Sequence, residues 1–187
     1  MAKTTFDRRS ALKVMGGAGA AGLALRAFPS PAIAQGAPVK VGFMLPYTGT
    51  YAPLAKNIDQ AFRQYIAEKG DKLGGRAVEY VMVDDQAEPS KATDNMNKLV
   101  DRDKVDVVVG TVHSGVQMAM VKIARETGKL MIIPNAGADA ATRAACAPNI
   151  FRSSFSNWQP CYPMGKVMAD AGHKTAMTIT WKYAAGE

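Results

Sequence analysis

The 187-residue chain has few of the side chains that bind metals or form crosslinks, because it contains only two histidines and two cysteines. His113 and His173 are separated from each other and from Cys146 and Cys161 by spacings that match no zinc or iron motif. The sequence therefore predicts no metal site.

Motifs of catalysis are also missing. Neither a G-x-S-x-G nucleophile elbow nor a phosphate-binding P-loop occurs after residue 34. Residues 17–22 fit the glycine pattern of dinucleotide-binding folds, but no predicted strand precedes them. We therefore expect no enzyme, no catalytic residue and no cofactor.

Long apolar runs are absent as well. The apolar run at residues 14–25 is too short to cross a ~30 Å hydrocarbon layer. It follows Arg8 and Arg9 and precedes small residues ending at Ala34, an arrangement typical of a cleavable export signal. We predict a twin-arginine signal peptide over residues 1–34, recognised by the twin-arginine translocation machinery, and a soluble periplasmic mature protein. An ordinary secretory signal is the alternative.

The chain has a formal net charge of +7, but this excess is concentrated near the amino terminus. Residues 1–34 hold five basic residues and one acidic residue, so they supply four of the seven charges. The weakly basic remainder indicates no nucleic-acid partner.

The two cysteines are Cys146 and Cys161, 15 positions apart in the part predicted to be exported. In an oxidising compartment, a crosslink closing a loop of this size stabilises the folded state by about 3 kcal/mol. We predict a disulfide between them, and two separate thiols are the alternative.

Short apolar strands alternate with helical patterns from residue 39 onwards. Strands are predicted over residues 39–45, 77–83, 105–109 and 130–133, and helices around residues 61–66, from Pro89 with Ser90 as N-cap, and over residues 116–127. Mostly apolar strands are typical of a sheet buried on both faces. The pattern predicts an α/β fold, with a parallel sheet flanked by helices on both faces.

The alternation of strand and helix patterns changes after Pro134, where a long loop of small residues begins. A strand at residues 150–153, a helix at 159–171 and a strand at 175–180 are predicted next. No further element would cover the sheet that begins there, so we expect the chain to be a fragment.

Several short segments occur in a characteristic order. They are residues 41–49 (VGFMLPYTG), 72–76 (KLGGR), 83–85 with 88–89 (VDD and EP), 104–110, and 151–154 (FRSS). In content and order they resemble the branched-chain amino-acid (Leu/Ile/Val) binding proteins of ABC transporters, which are type I periplasmic binding proteins.

The resemblance implies two α/β lobes joined by a hinge, with the ligand held in the cleft between them. Residues 35–150 would form the first lobe, and residues 151–187 the hinge crossing and the beginning of the second. We expect an exported solute-binding protein that captures a small carboxylate-bearing solute, of the amino-acid, aromatic-acid or amide class, and delivers it to an ABC permease. The extracellular ligand-binding domain of a sensor or receptor is the alternative.

Ligands of open parallel sheets bind outside the carboxyl ends of the strands. The Ser114 hydroxyl and nearby helix amides would hold a carboxylate there, and the neighbouring His113 would be a neutral donor. The backbone of Asn135, Ala136 and Gly137 would supply further donors, and the resemblance places both loops on the carboxylate side of the ligand. The alternatives are an N-cap role for Ser114, a structural histidine, and turn chemistry at residues 135–137.

The chain departs from the family where amino-acid binders commonly surround the ligand ammonium with a carboxylate and tyrosine hydroxyls. These positions hold Asn157, Leu54 and Ala185. Because a buried ammonium without an anion is costly, we expect an acid that lacks an α-amino group, with Asn157 as a ligand contact. Trp181 and Tyr183 would stack on an aromatic or apolar acid, and packing against the rest of the protein is their alternative role.

Asp84 and Asp85 form an acidic pair after the second predicted strand. Such a pair also binds Mg²⁺ in phosphoacceptor receiver domains, but there the third strand ends near an aspartate, whereas here it ends at Gly110. We predict that both acids are solvated loop residues.

Overall fold

The computed structural model of the chain describes residues 36–180 and 183–185, and the fold belongs to the compact unit Ala37–Glu187. The predicted signal peptide, including Arg8 and Arg9, lies outside the described residues, as does Trp181. The predictions for these residues therefore remain predictions.

Six strands form one sheet. They are Val39–Leu45 (β1), Lys72–Leu73 (β2), Arg76–Asp84 (β3), Val107–Val109 (β4), Leu130–Ile133 (β5) and Ile150–Arg152 (β6), in the order β2-β3-β1-β4-β5-β6. Every neighbouring pair is parallel except β2 and β3. The helices are Ala52–Glu68 (α1), Pro89–Asn97 (α2), Ser114–Thr127 (α3) and Trp158–Asp170 (α4), with a π-helical turn at Lys98–Arg102 after α2.

Alternate residues of β1 show why the sheet carries helices on both faces. Phe43 and Leu45 pack with α1 residues such as Ala55, whereas Met44 packs in a second cluster with α2 and α3. All three β1 side chains are fully buried, as the apolar sequence of the strand predicts. The predicted α/β architecture is therefore confirmed.

The ends of several elements differ from the prediction. The short strand β2 was not predicted; it pairs antiparallel with β3 through a turn at Gly74 and Gly75, which both have positive φ. Ser90 is not the N-cap of α2, because the helix begins at Pro89 and Glu88 occupies the cap position. Proline is favoured at the first helical position because its φ is already helical.

The predicted strand at residues 175–180 is wrong. This segment has no regular secondary structure, and the side chains of Met177 and Ile179 are 94% and 97% exposed. A strand needs a neighbour that accepts and donates its backbone hydrogen bonds. Within the described part of the chain, the parallel sheet ends at β6 and does not include this segment.

The predicted disulfide is not formed either, because Cys146 and Cys161 are both exposed and unpaired. Cys146 lies in the segment that approaches the amino end of β6, whereas Cys161 lies in α4, which follows the carboxyl end of that strand. A disulfide requires Cα atoms roughly 4.4 to 6.8 Å apart. The two cysteines thus lie before and after β6, and both thiols are free.

Candidate functional site

The loops at the carboxyl edge of the sheet enclose a cavity of about 180 Å³. Its lining residues are Tyr51, Leu54, Val112, His113, Ser114, Asn135, Gly137, Phe155, Asn157, Tyr183 and Ala185. They come from the segments after β1, β4, β5 and β6 and from residues 183–185. This edge is where the parallel topology places ligands.

The structure brings most of the predicted site residues together in this cavity. They are His113, Ser114, Asn135, Gly137, Asn157 and Tyr183. Ala136 does not line it: this residue is buried behind the loop, and its amide donates to the Thr111 carbonyl over 2.9 Å. Leu54 and Ala185, identified as departures from the family, also line the cavity. Larger grooves, of about 420 and 640 Å³, run along the outer surface of α3 and along α4, away from this edge.

His113 is the N-cap of α3. Its Nδ1 accepts hydrogen bonds from the amides of Gly115 and Val116, at 3.1 and 3.4 Å. Because a neutral imidazole carries one proton, a ring that accepts at Nδ1 carries this proton on Nε2. His113 therefore caps the helix with one nitrogen and keeps a donor on the other.

Burial lowers the pKa of His113, and the nearby negative charge of Asp85 opposes this shift. The partial positive charge at the start of α3 also disfavours an imidazolium. His113 is therefore neutral at pH 7. A neutral donor can bind a carboxylate without first losing the hydration shell of a charge.

Two of the helix amides do not play the predicted role. Because the Gly115 and Val116 amides already donate to His113 Nδ1, they are not the donors that bind a ligand carboxylate. Ser114 is the first residue of α3 rather than its N-cap, and its nearly buried side chain lines the cavity. Two side-chain donors at this point are the Ser114 hydroxyl and the His113 Nε2–H group.

The segment after β5 also makes internal contacts. The amides of Ala136 and Ala138 donate to the Thr111 carbonyl and to Gln117 Oε1, at 2.9 and 3.0 Å. The Ala136 amide is therefore not one of the further backbone donors predicted at residues 135–137, while the prediction for Asn135 and Gly137 remains a prediction. A Cβ at Gly137 would collide with Asn157 Oδ1, so glycine permits the close packing here.

Asn157 joins the loop after β6 to its surroundings. Its backbone amide donates to the Gly137 carbonyl over 2.8 Å, and its side-chain Nδ2 donates to the Ala185 carbonyl over 3.3 Å. Among the described lining residues there is no Asp, Glu, Lys or Arg. The described walls thus provide donors for an anion but no carboxylate for an ammonium group.

The prediction that both acids of the Asp84–Asp85 pair are solvated is wrong, because Asp85 is fully buried. Its carboxylate accepts hydrogen bonds from the Thr111 hydroxyl and from the Ala87 amide, the latter at 2.7 Å. Burial raises the pKa of Asp85, and these two bonds offset the rise only in part. A charged group placed in this way costs free energy unless its bonds are kept.

Asp84 is the more exposed member of the pair. Desolvation alone would raise its pKa, but hydrogen bonds from the Thr48 hydroxyl and from the Gln86 and Tyr47 amides outweigh this effect and lower it. Asp84 therefore ties the loop after β1 to the end of β3. Both acids hold loops in place, which the charge pattern alone did not reveal.

Sequence reasoning missed three lining residues, Tyr51, Val112 and Phe155. Val112 belongs to the same loop as His113, while Tyr51 and Phe155 follow β1 and β6. The rule that ligands lie beyond the carboxyl ends of strands was applied only to β4 and β5. Applied to every parallel strand, it would have indicated these positions.

Two further searches concern only the described residues. No helix there is long and apolar enough to cross a membrane. No group of three or more His, Cys, Asp or Glu side chains is placed there to hold a metal ion.

Residues 38–187 match the family model described as periplasmic binding protein. A Leu/Ile/Val-binding protein homolog of Brucella abortus is 31% identical over 149 residues, which cover 79% of this chain and 38% of the relative. A chemotactic signal transduction substrate-binding protein of Halobacterium salinarum is also 31% identical, over 79% of this chain and 38% of its own length.

Two solved structures are similar in fold and sequence. A solute-binding protein of an ABC transporter from R. palustris, in complex with benzoate, has a TM-score of 0.76 and 56% identity, covering 80% of this chain and 41% of that one. A second, from Rhodopseudomonas palustris BisB5 in complex with 3,4-dihydroxybenzoic acid, has a TM-score of 0.72 and 32% identity, covering 80% and 40%. The chain thus spans about two fifths of the length of these relatives.

Proposed function

The chain belongs to the periplasmic binding protein family, and we propose that its protein is an exported solute-binding component that captures a small aromatic carboxylate and delivers it to an ABC permease. The observation that carries the proposal is the character of the cavity wall. Its described residues provide neutral donors at His113 and Ser114 and no carboxylate.

The absence of an acidic side chain from the described wall bears on the class of acid. An amino acid brings an ammonium group, which would lose its hydration in the cavity without gaining an anionic partner. A simple carboxylic acid brings no such group. The Ser114 hydroxyl and the His113 Nε2–H group are suited to its two oxygens, because donors to a carboxylate form charge-assisted hydrogen bonds.

Aromatic side chains favour a flat ring in the same cavity. The His113 ring is near those of Tyr51 and Tyr183, whose centroids are 6.5 and 5.3 Å from its own. Phe155 adds a further ring to the wall. Such rings offer edge and face contacts worth about 0.5–1.5 kcal/mol each beyond the area they bury. The benzoate and dihydroxybenzoate bound to the two similar solute-binding proteins support the same ligand class.

The cellular role follows from the family. We infer export by the twin-arginine machinery, periplasmic localisation and docking to permease subunits, in keeping with the ABC-transporter origin of the similar solute-binding proteins. A non-enzymatic role agrees with the absence of a catalytic motif after residue 34 in the sequence.

A second candidate is a chemosensory receptor component. The similarity to the chemotactic substrate-binding protein of Halobacterium salinarum favours it, because that relative matches the same share of this chain as the Leu/Ile/Val-binding protein homolog of Brucella abortus. A gene-deletion strain separates the two roles. Loss of labelled benzoate uptake supports transport, whereas normal uptake with lost chemotaxis towards benzoate supports the sensor.

Isothermal titration calorimetry on the purified protein, expressed from its complete reading frame, tests the ligand class. The titrants are benzoate, 4-hydroxybenzoate, leucine, benzamide and urea at pH 7. We expect an aromatic carboxylate to bind most tightly and the matched amide, which has the same ring but no charge, to bind far more weakly. Tighter binding of leucine than of every simple acid would sink the proposal.

Two substitutions test the donors of the wall. Ser114→Ala should weaken benzoate binding about ten- to a hundredfold, because a hydrogen bond to a charged group contributes about 1.5–3 kcal/mol. Ser90→Ala, at an exposed position in the first turn of α2, is the matched control and should bind as the unmodified protein does. Equal affinity of the Ser114 variant would remove Ser114 from the site.

Asn157→Asp tests the charge argument. A negative charge at this cavity position should repel benzoate and lower its affinity, while it provides the anionic partner that an ammonium lacks. We expect the affinity for benzoate to fall relative to that for leucine. Unchanged relative affinities would show that residue 157 does not face the ligand.

A further inference from the structure

We propose that Asp85 and Thr111, buried beneath the cavity, are positioning residues that fix its two ligand loops relative to each other. The ligand loops are residues 110–114, after β4, and residues 134–138, after β5. The term ligand loop rests on the proposed function, but the hydrogen bonds that join the two loops through Asp85 and Thr111 do not.

The first part of the linkage joins β3 to the first ligand loop. The Thr111 hydroxyl donates to Asp85 Oδ2, and both residues are fully buried. In the sheet, β1 lies between β3 and β4, so this bond reaches across the end of β1. The Asp85 amide also donates to the Leu45 carbonyl over 3.1 Å, which fixes the acid to the end of that middle strand.

The second part joins the first ligand loop to the second. The carbonyl of the same Thr111 accepts the Ala136 amide at 2.9 Å. His113 and Ser114 follow Thr111 by two and three residues, and Gly137 follows Ala136 directly. One residue therefore holds both cavity-lining segments, by its side chain towards β3 and by its backbone towards β5.

Neither Asp85 nor Thr111 lines the cavity, so each acts through the loops that do. The acceptor for Thr111 is the carboxylate of Asp85, and a buried charge is costly unless its hydrogen bonds are maintained. That cost penalises any movement of the first ligand loop that would take the Thr111 hydroxyl away from Asp85. A charged acceptor also forms a stronger bond than a neutral one.

A comparison with the neighbouring acid separates loop positioning from simple loop closure. The Thr48 hydroxyl donates to Asp84 Oδ2 over 2.6 Å. Asp84, like Asp85, thus accepts a hydrogen bond from a threonine hydroxyl. There the contact is exposed and ties only the loop after β1 to the end of β3. The buried pair alone leads on to the second ligand loop.

Hydrogen exchange of the unliganded protein, measured by mass spectrometry, tests the linkage without any ligand. Thr111→Val keeps the shape of the side chain but removes the hydroxyl. We expect backbone amides in both ligand loops to exchange at least about tenfold faster, while α1 keeps its protection. Thr127→Val is the control, because the Thr127 hydroxyl bonds only within α3, to the Ile123 carbonyl at 2.8 Å.

Two more variants guard against a folding defect in Thr111→Val. Thr111→Ser retains the hydroxyl and should restore protection of both loops to within about threefold. Asp85→Asn keeps the shape but removes the charge, and it should increase exchange in both loops together. Faster exchange in the first ligand loop alone, or in neither, would overturn the proposal.

Benzoate affinity distinguishes positioning of Ser114 from a purely structural role of Thr111, because only positioning makes the effects of the two substitutions depend on each other. If Thr111 positions Ser114, then Ser114→Ala should cost benzoate affinity less than about threefold in the Thr111→Val background, against ten- to a hundredfold in the unmodified protein. Fully additive losses in folded variants would contradict positioning. A protein with coupled loops that binds no carboxylate would instead refute the proposed function and leave the linkage intact.

Discussion

Helices α3 and α4 have nearly the same length and each follows a parallel strand, yet they differ completely in burial. Seven residues of α3 are buried, whereas no residue of α4 is buried against the part of the chain that the structure describes. Both helices contain apolar side chains at positions that would suit a packed face. An apolar pattern therefore indicates what a helix is able to bury, while a neighbouring surface decides whether it does.

The ends of α3 are also better defined than those of α4. α3 begins with the His113 cap and ends at Gly128, which has the left-handed φ of 67° that terminates many helices. α4 has no side-chain cap bond at Asn157 and contains Pro163, which removes one internal hydrogen bond. The loop after β4, which contains His113, thus leads into the helix with the better-defined ends.

The largest expected difference between the helices concerns a methionine in each. Met120 in α3 is fully buried, whereas Met164 in α4 is about half exposed. Met120→Ala should lower the free energy of unfolding by about 2–5 kcal/mol through lost burial and a cavity. Met164→Ala should change it by less than about 0.5 kcal/mol. Urea unfolding at 25 °C measures both, and equal losses would refute the contrast in burial.

The cap at His113 should have an intermediate effect that depends on pH. His113→Ala removes the acceptor for two helix amides and should cost about 0.5–2 kcal/mol of stability at pH 7.5. His173→Ala, in the exposed segment after α4, is the control and should cost almost nothing.

The sign of the pH effect follows from the lowered pKa of His113. The neutral imidazole is favoured in the folded protein, so its contribution is full above the ordinary value of about 6.5 and is lost as the pH falls through the lower folded value. The stability difference between the protein and His113→Ala should therefore shrink between pH 7.5 and 5. A difference that grows on acidification would show that the imidazolium, not the imidazole, is the stabilising form.

The smallest effects concern two glycines and should have opposite signs. Gly128→Ala places a side chain at a left-handed φ after α3 and should destabilise the protein by about 1 kcal/mol. Gly165→Ala lies inside α4, where a Cβ would meet no atom within 4 Å, and should stabilise it by about 0.5–1 kcal/mol. Thermal unfolding of both variants provides the measurement. A stabilising Gly128→Ala would mean that the helix end adopts another conformation.

Much of the site could be predicted from the sequence because it follows from topology. Once alternating strands and helices are recognised, the parallel sheet places the residues after each strand at one edge, and His113, Ser114 and Asn135 meet there. The hydrogen-bonding roles of these residues could not be predicted in the same way. Whether an amide faces a ligand or an imidazole depends on one side-chain rotamer, and the sequence pattern of a loop does not specify it.

The two acids after β3 show the same limit. Adjacent aspartates look alike in sequence, but Asp84 is partly exposed and Asp85 is fully buried. The difference arises because Thr111, 26 residues away, lies over the end of the sheet and donates to Asp85. Contacts between residues so distant in sequence cannot be inferred from charge spacing.

Apart from the short strand β2, the sequence by itself determined the order of strands and helices from β1 to α4, because the period of apolar residues and the turn-forming glycines and prolines are local properties. It also indicated several residues that reach the carboxyl edge of the sheet, among them His113, Ser114 and Asn135. Only the tertiary structure decided that Cys146 and Cys161 stay apart, that residues 175–180 form no strand, and that His113 rather than Ser114 caps α3. Each of these outcomes depends on which partner lies within a few ångströms, and that distance is set by the packing of the whole fold.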